Sequence, residues 1–159
     1  MDEIILRRIN FLIDAAKNEI KQAQDISLVM RVISNYATIG KDAGSASVKK
    51  LNKRVSKKAK DILINQGLEK FTKLTINEHS KPISETWKWL RENATNLSAE
   101  DVWKEFCNHP MTTITKDEDR KIRSMGLKSS GGIQERYVDL DILVEILEEA
   151  PKELIKNMG

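Results

Sequence analysis

The chain has 159 residues, 40% hydrophobic and 32% charged, with only seven glycines and three prolines, a composition that excludes a disordered or low-complexity protein and leans towards helix. One cysteine, Cys107, excludes an internal disulfide and any metal cluster built on several thiolates. No apolar run approaches the roughly 20 residues that span a bilayer, and Met1-Asp2-Glu3 carries acids where a secretory signal carries cations, so no membrane partner and a cytoplasmic location are expected.

In chain order, Ile5, Ile9, Leu12, Ile13, Ala16, Ile20 and Ala23 recur at three- and four-residue steps, which predicts an amphipathic helix over 2–24. Asp25 or Ser27 can cap a second helix that turns Ile26, Val29, Met30, Ile33 and Tyr36 inward and stops near Gly40. The stretch 40–45 has two glycines and no apolar surface to bury, so it reads as a turn.

A third helix is predicted over 47–66. At 100° per residue, Val48, Leu51, Val55, Ala59, Ile62 and Leu63 fall on one third of the circumference, and Gly67 stands ready to end the helix in a left-handed conformation. The remaining arc takes Lys49, Lys50, Lys53, Arg54, Lys57, Lys58 and Lys60, seven cations with no acid among them. The net charge is +3, so everything outside this segment sums to −4. Residues 68–78 lean to helix, although Thr72, Leu74 and Ile76 alternate as in a strand.

His79-Ser80-Lys81-Pro82 marks the expected boundary between an N-terminal helical region, 1–78, and a smaller helical module, 83–159. In the second module Ile83, Trp87, Leu90 and Ala94 form one stripe. Ser98 with Asp101, and Thr115 with Glu118, form capping boxes that open further helices. Asp117, Glu118 and Asp119 precede Arg120, Lys121 and Arg123, the order of charge that suits a helix dipole, and Gly126 reads as the stop. After the turn at 128–132, Ile133, Tyr137, Leu140, Val144 and Leu147 fit a helix, with a strand over 133–138 left open.

Two features bear on function. Lysines along a rod rising ~1.5 Å per residue neutralise phosphates without demanding exact geometry, so the basic helix points to nucleic acid or, secondarily, to an acidic protein. The segment 120–136 is compatible with a helix-turn-helix or winged variant: Ile122, Met125, Gly126 and Leu127 would make the first helix and turn, and Lys128, Ser129, Ser130, Gln134 and Arg136 would face the groove or phosphates. A plain connector explains the same letters.

Catalytic chemistry has few carriers. His79 and His109 are the only histidines, and Cys107 sits two residues from His109, a spacing that points side chains apart on a helix. Cys107 is expected in the core, and Asp117–Asp119 suits a helix dipole better than Mg²⁺. Trp89 lies off the stripe of Trp87 and, if exposed beside Lys88 and Arg91, offers a stacking surface. The expectation is therefore an all-α protein, an N-terminal helical bundle followed by a smaller helical module, self-associating through its first helix. It is expected to bind nucleic acid, DNA before RNA, as a non-enzymatic regulator without metal or cofactor. The alternative is a helical inhibitor or adaptor that docks on a protein through its basic helix or an acidic C-terminal helix.

Overall fold

The computed structural model describes residues 1–18 and 24–159. Helix α1 spans Glu3–Lys17, opened by Asp2, whose carboxylate accepts the Ile4 amide, and it closes on Asn18. The inward positions expected at Ile20 and Ala23 lie outside the described residues. Helix α2, Gln24–Ile39, already includes Asp25 and Ser27, so neither is its cap. Helices α5 (Ile83–Asn93) and α6 (Ala99–Asn108) complete a cluster in which Ile5, Ile9, Leu12, Met30, Ile33, Leu90 and Val102 are all but fully buried. The three- and four-residue spacing of those side chains accounts for this part of the fold.

The remainder is not all helical. Four strands form one mixed sheet, β1 (Arg54–Ser56), β2 (Thr75–His79), β3 (Met111–Thr115) and β4 (Val144–Ile146), in the order β2-β3-β1-β4. The β1–β3 pair is parallel, while β2–β3 and β1–β4 are antiparallel. The all-α expectation is corrected accordingly: the protein is largely helical with a small sheet, and its strands come from both sides of residues 79–82.

The basic helix expected over 47–66 is broken by this sheet. Helix α3 ends at Leu51, Asn52 takes an extended conformation, and β1 follows before α4 (Lys57–Leu74) begins. Asn52 supplies the physical reason. It is buried, and its amide donates to the Met111 carbonyl (3.0 Å) and Thr113 Oγ1 (3.2 Å) while its Oδ1 accepts the Arg54 amide (3.0 Å). A buried side-chain amide so fully paired to β3 outweighs the few tenths of a kcal/mol per residue by which local propensity would continue the helix. Ser56 then restarts the helix by accepting the Ala59 amide.

Gly67 ends the first helical segment of α4 with a positive φ, and a second segment follows across a kink. The residue adopts φ 82°, ψ 175°, a conformation that favours glycine, and the chain resumes helix as far as Leu74. The strand-like alternation after it is real from Thr75 onward, where β2 pairs with β3 from Thr75↔Thr115 to His79↔Met111.

Val55 of β1 stands level with Thr113 of β3, so Val55 and Ile114 point to opposite faces of the sheet. Val55 packs with Ala59, Leu63 and Phe71 of α4, which also touches Leu154 and Ile155 of α8 (Pro151–Met158). Ile114 packs with Ile122 of α7 (Lys116–Ser124) and with Tyr137, Leu140 and Ile142. Both faces are covered, which is why every residue of β3 is buried despite three threonines.

A cationic recess beside strand β2

The seven cations of residues 49–60 do not share a surface. Lys49 Nζ donates to the Thr72 carbonyl (2.9 Å) and Lys53 Nζ to the Glu148 carbonyl (2.7 Å). Arg54 Nε donates to Thr112 Oγ1 (2.9 Å), and Lys60 pairs with Glu145 at 2.7 Å. Lys50 is half-buried on α3, and Lys57 and Lys58 are exposed in the first turn of α4. Once β1 interrupts the rod, its charges are spread over α3, the link at 52–53, β1 and α4, and several are used to fasten the chain to itself. The single basic face is withdrawn.

The second set, around 128–136, also departs from expectation. No recognition helix follows α7. The chain instead makes a loop and then one π-helical turn, Gln134–Val138, in which the Asp139 amide bonds the Gln134 carbonyl at 2.8 Å. Arg136 is 4% exposed and points inward: it pairs with buried Glu78 of β2 and donates to the carbonyls of Leu127 and Ser130, the latter at 3.0 Å. Tyr137 donates to the same Glu78 carboxylate, and Gln134 is occupied with Asp139 at 2.7 Å. Gln134 and Arg136 are thus not base readers. Arg136 holds the 127–130 loop against β2, and Ser84 Oγ adds a bond to the Ser129 carbonyl at 3.0 Å.

This anchoring builds a recess of about 320 Å³ that sequence reasoning did not anticipate. One wall is α2, with Ser27 and Arg31; another is β2, from Ile76 to His79. Pro82, Ile83 and Ser84 at the start of α5, Asp119 and Arg123 of α7, the exposed Lys128 and Ser129 and the buried Arg136 complete its lining. Of the second set, Lys128 and Ser129 are exposed at this recess.

The electrostatics are lopsided. Arg123 Nε pairs with Asp119 at 2.7 Å and Arg136 with Glu78, whereas Arg31 and Lys128 have no ion pair among the described residues. His79 is held down to a pKa of about 4, chiefly because burial penalises its charged form and secondarily because Arg31 stands near it. At neutral pH it is uncharged, so the four cations and two carboxylates leave a surplus of two positive charges. Arg136 Nε is buried with no hydrogen-bond partner among the described residues.

No protein-family model, curated protein or solved structure matches the chain.

The surplus extends past the recess. Arg123 and Lys116 are seven residues apart on α7, hence on nearly the same azimuth and roughly 10 Å apart along the axis. Lys49 of α3 has its pKa lowered first by burial and then by the positive charge of Lys116. The Asn77 amide donates to the Ser45 carbonyl at 3.0 Å and so seats the start of α3 beside the recess.

Other candidates dissolve on inspection. Asp117 pairs with Arg120, Asp119 with Arg123, and Glu118 is buried in the capping box, so the acidic cluster is spent on helix α7. Among the described residues no group of His, Cys, Asp and Glu is placed to hold a metal ion. Cys107 is exposed, contrary to the expected core position. Trp89 is partly buried against the α1/α2/α5/α6 core, with Lys81 Nζ 5.3 Å from its ring centre, so the expected free stacking face is covered. Arg31, the adjacent pair Glu78 and His79, and Arg123 were missed because they sit on three separate segments, α2, β2 and α7, with no spacing in sequence to connect them. The one available signal was Lys128-Ser129-Ser130 beside the capped helix α7.

Proposed function

We propose that the protein binds nucleic acid through its phosphates, at the recess beside β2 and along the cationic strip that leads from it to Lys116 and Lys49. One observation carries this reading: Arg31 and Lys128, on separate elements and without an ion pair among the described residues, both line a recess that already holds two further guanidinium groups. Unpaired cations gathered around a concavity attract a polyanion and release its counterions. Contacts of this kind position a strand and do not read its sequence.

The reading is of a binding protein, an accessory or regulatory factor, with DNA ahead of RNA. None of the four strands carries a Phe, Tyr or Trp, the side chains on which the common RNA modules stack bases.

The test is a fluorescence-anisotropy titration of labelled single-stranded and duplex DNA at low salt, with wild type and the double variant Arg31→Glu, Lys128→Glu. Both side chains are exposed, so the variant retains the fold. Wild type should bind and the variant should lose at least about tenfold in affinity, the cost of 1.4 kcal/mol. Equal binding by the two proteins, or none by either, overturns the proposal, and so does degradation of the labelled strand during the titration, which would make the protein an enzyme.

A further inference from the structure

Building on the nucleic-acid reading, we infer that the recess receives a terminal phosphomonoester, so that the protein prefers the phosphorylated end of a strand to an internal phosphodiester.

Charge is the first argument. Arg31, Arg123, Lys128 and Arg136, set against Glu78 and Asp119, leave a surplus of two positive charges. A diester carries one negative charge and a monoester close to two at neutral pH. The monoester matches the surplus and the diester leaves half of it unanswered. His79 adds no charge at neutral pH, since burial and Arg31 hold its pKa at about 4.

Shape is the second. Of its lining, Glu78, Pro82 and Arg136 are buried, while Arg31, Arg123 and Lys128 are exposed. A volume of about 320 Å³ is at the small end of ligand pockets, enough for a phosphate with its sugar and too small for a duplex. An internal diester must lead the chain out in two directions, whereas an end fills a small recess and leaves in one.

Donors are the third. Helix α5 opens at Pro82 without a side-chain cap, and the Pro82 carbonyl takes the amides of Glu85 and Thr86. That leaves the amides of Ile83 and Ser84, both on the recess wall, outside the helical hydrogen-bond pattern, in the position that favours an anion. Arg136 adds an independent sign: it is 4% exposed, it lines the same recess, and its Nε is left without a partner among the described residues.

The experiment uses one single-stranded DNA sequence made with a 5′-phosphate, a 3′-phosphate or hydroxyl ends, together with inorganic phosphate and a nucleoside monophosphate as competitors. A phosphorylated end should tighten binding about tenfold over the hydroxyl form, and Arg31→Gln should remove that preference without changing the thermal midpoint. If phosphorylated and hydroxyl strands bind equally well, the end-binding inference fails while the nucleic-acid reading stands. If the mononucleotide and inorganic phosphate bind but strands gain nothing over them, the monoester site stands and the nucleic-acid reading fails. Absence of binding in every arm overturns both.

Discussion

Ser56 and Glu118, 62 residues apart and both buried, are joined by a 2.6 Å hydrogen bond that links the N-termini of two helices. Ser56 Oγ also accepts the Ala59 amide (3.1 Å) and so caps α4. Glu118 Oε2 accepts the Thr115 amide (2.9 Å) and closes the capping box of α7. One carboxylate oxygen therefore serves both helix starts, where a negative charge also complements the helix dipoles.

Glu118→Ala should then cost more than an ordinary cap, about 2–4 kcal/mol, because it removes one cap and strands the Ser56 hydroxyl in a buried site. Ser56→Ala and Glu118→Ala should be coupled by more than about 0.5 kcal/mol in a double-mutant cycle followed by urea unfolding. Additive losses would show that the bond joins nothing energetically.

Arg136 leads to a second prediction. Replacing it by Met leaves Glu78 buried opposite a neutral side chain, and breaking a buried pair from one side costs about 3–5 kcal/mol. The double variant Arg136→Met, Glu78→Gln should recover part of that loss, since no unpaired charge remains. It should not recover DNA binding, because Arg136 also holds the carbonyls of Leu127 and Ser130 and so the loop that presents Lys128. Full recovery of binding in the double variant would separate Arg136 from the recess.

The contrast between Leu12 and Asn52 shows how far the letters alone could lead. Leu12 belongs to a periodic stripe, and such stripes located α1, α2, α5 and α6 because amphipathic spacing is a local property read within one helix. Both capping boxes were legible for the same reason, each being a contact three residues long. Asn52 breaks a periodic segment through bonds to Met111 and Thr113, and no window around residue 52 contains those partners. The sheet was hidden because β1 and β4 have three residues each and β3 is sealed on both faces, which removes the alternation that marks a half-buried strand. The recess was hidden likewise. Lys128 and Ser129 stood out as loop residues, but Arg31 and His79 become functional candidates only when α2 and β2 meet.

His79 makes stability depend on pH. Its folded pKa is about 4 and its unfolded value about 6.5, so the unfolded chain takes up the proton first as pH falls. The full contribution is present above pH 6.5 and is lost as pH drops from there towards 4. At about 1.4 kcal/mol per pH unit, wild type should lose roughly 2–3 kcal/mol more than His79→Gln between pH 7 and pH 4.5. The comparison with His79→Gln subtracts the contribution of every other titrating group, since the two proteins share them all. Parallel curves for the two proteins would mean that His79 is free to protonate. Added inorganic phosphate should lift the His79 pKa in a proton-NMR titration, since an anion beside Arg31 offsets the charge that helps to hold it down.

Salt dependence separates the strip beside β2 from the cation at the opposite edge of the sheet. Lys53 is exposed and donates to the Glu148 carbonyl just past β4, the strand at the other end of the sheet from β2, whereas Lys116 and Arg123 share one azimuth of α7 that ends at the recess. Binding to single-stranded DNA that engages about three phosphates should give a slope of log affinity against log salt near about −2. Lys116→Gln should make that slope shallower by roughly 0.7, the contribution of one phosphate contact. Lys53→Gln should leave it unchanged, because Lys53 is tied to the Glu148 carbonyl at the β4 edge, away from β2. If Lys53→Gln flattens the slope and Lys116→Gln does not, the strand runs over the opposite edge of the sheet and the strip plays no part in holding it.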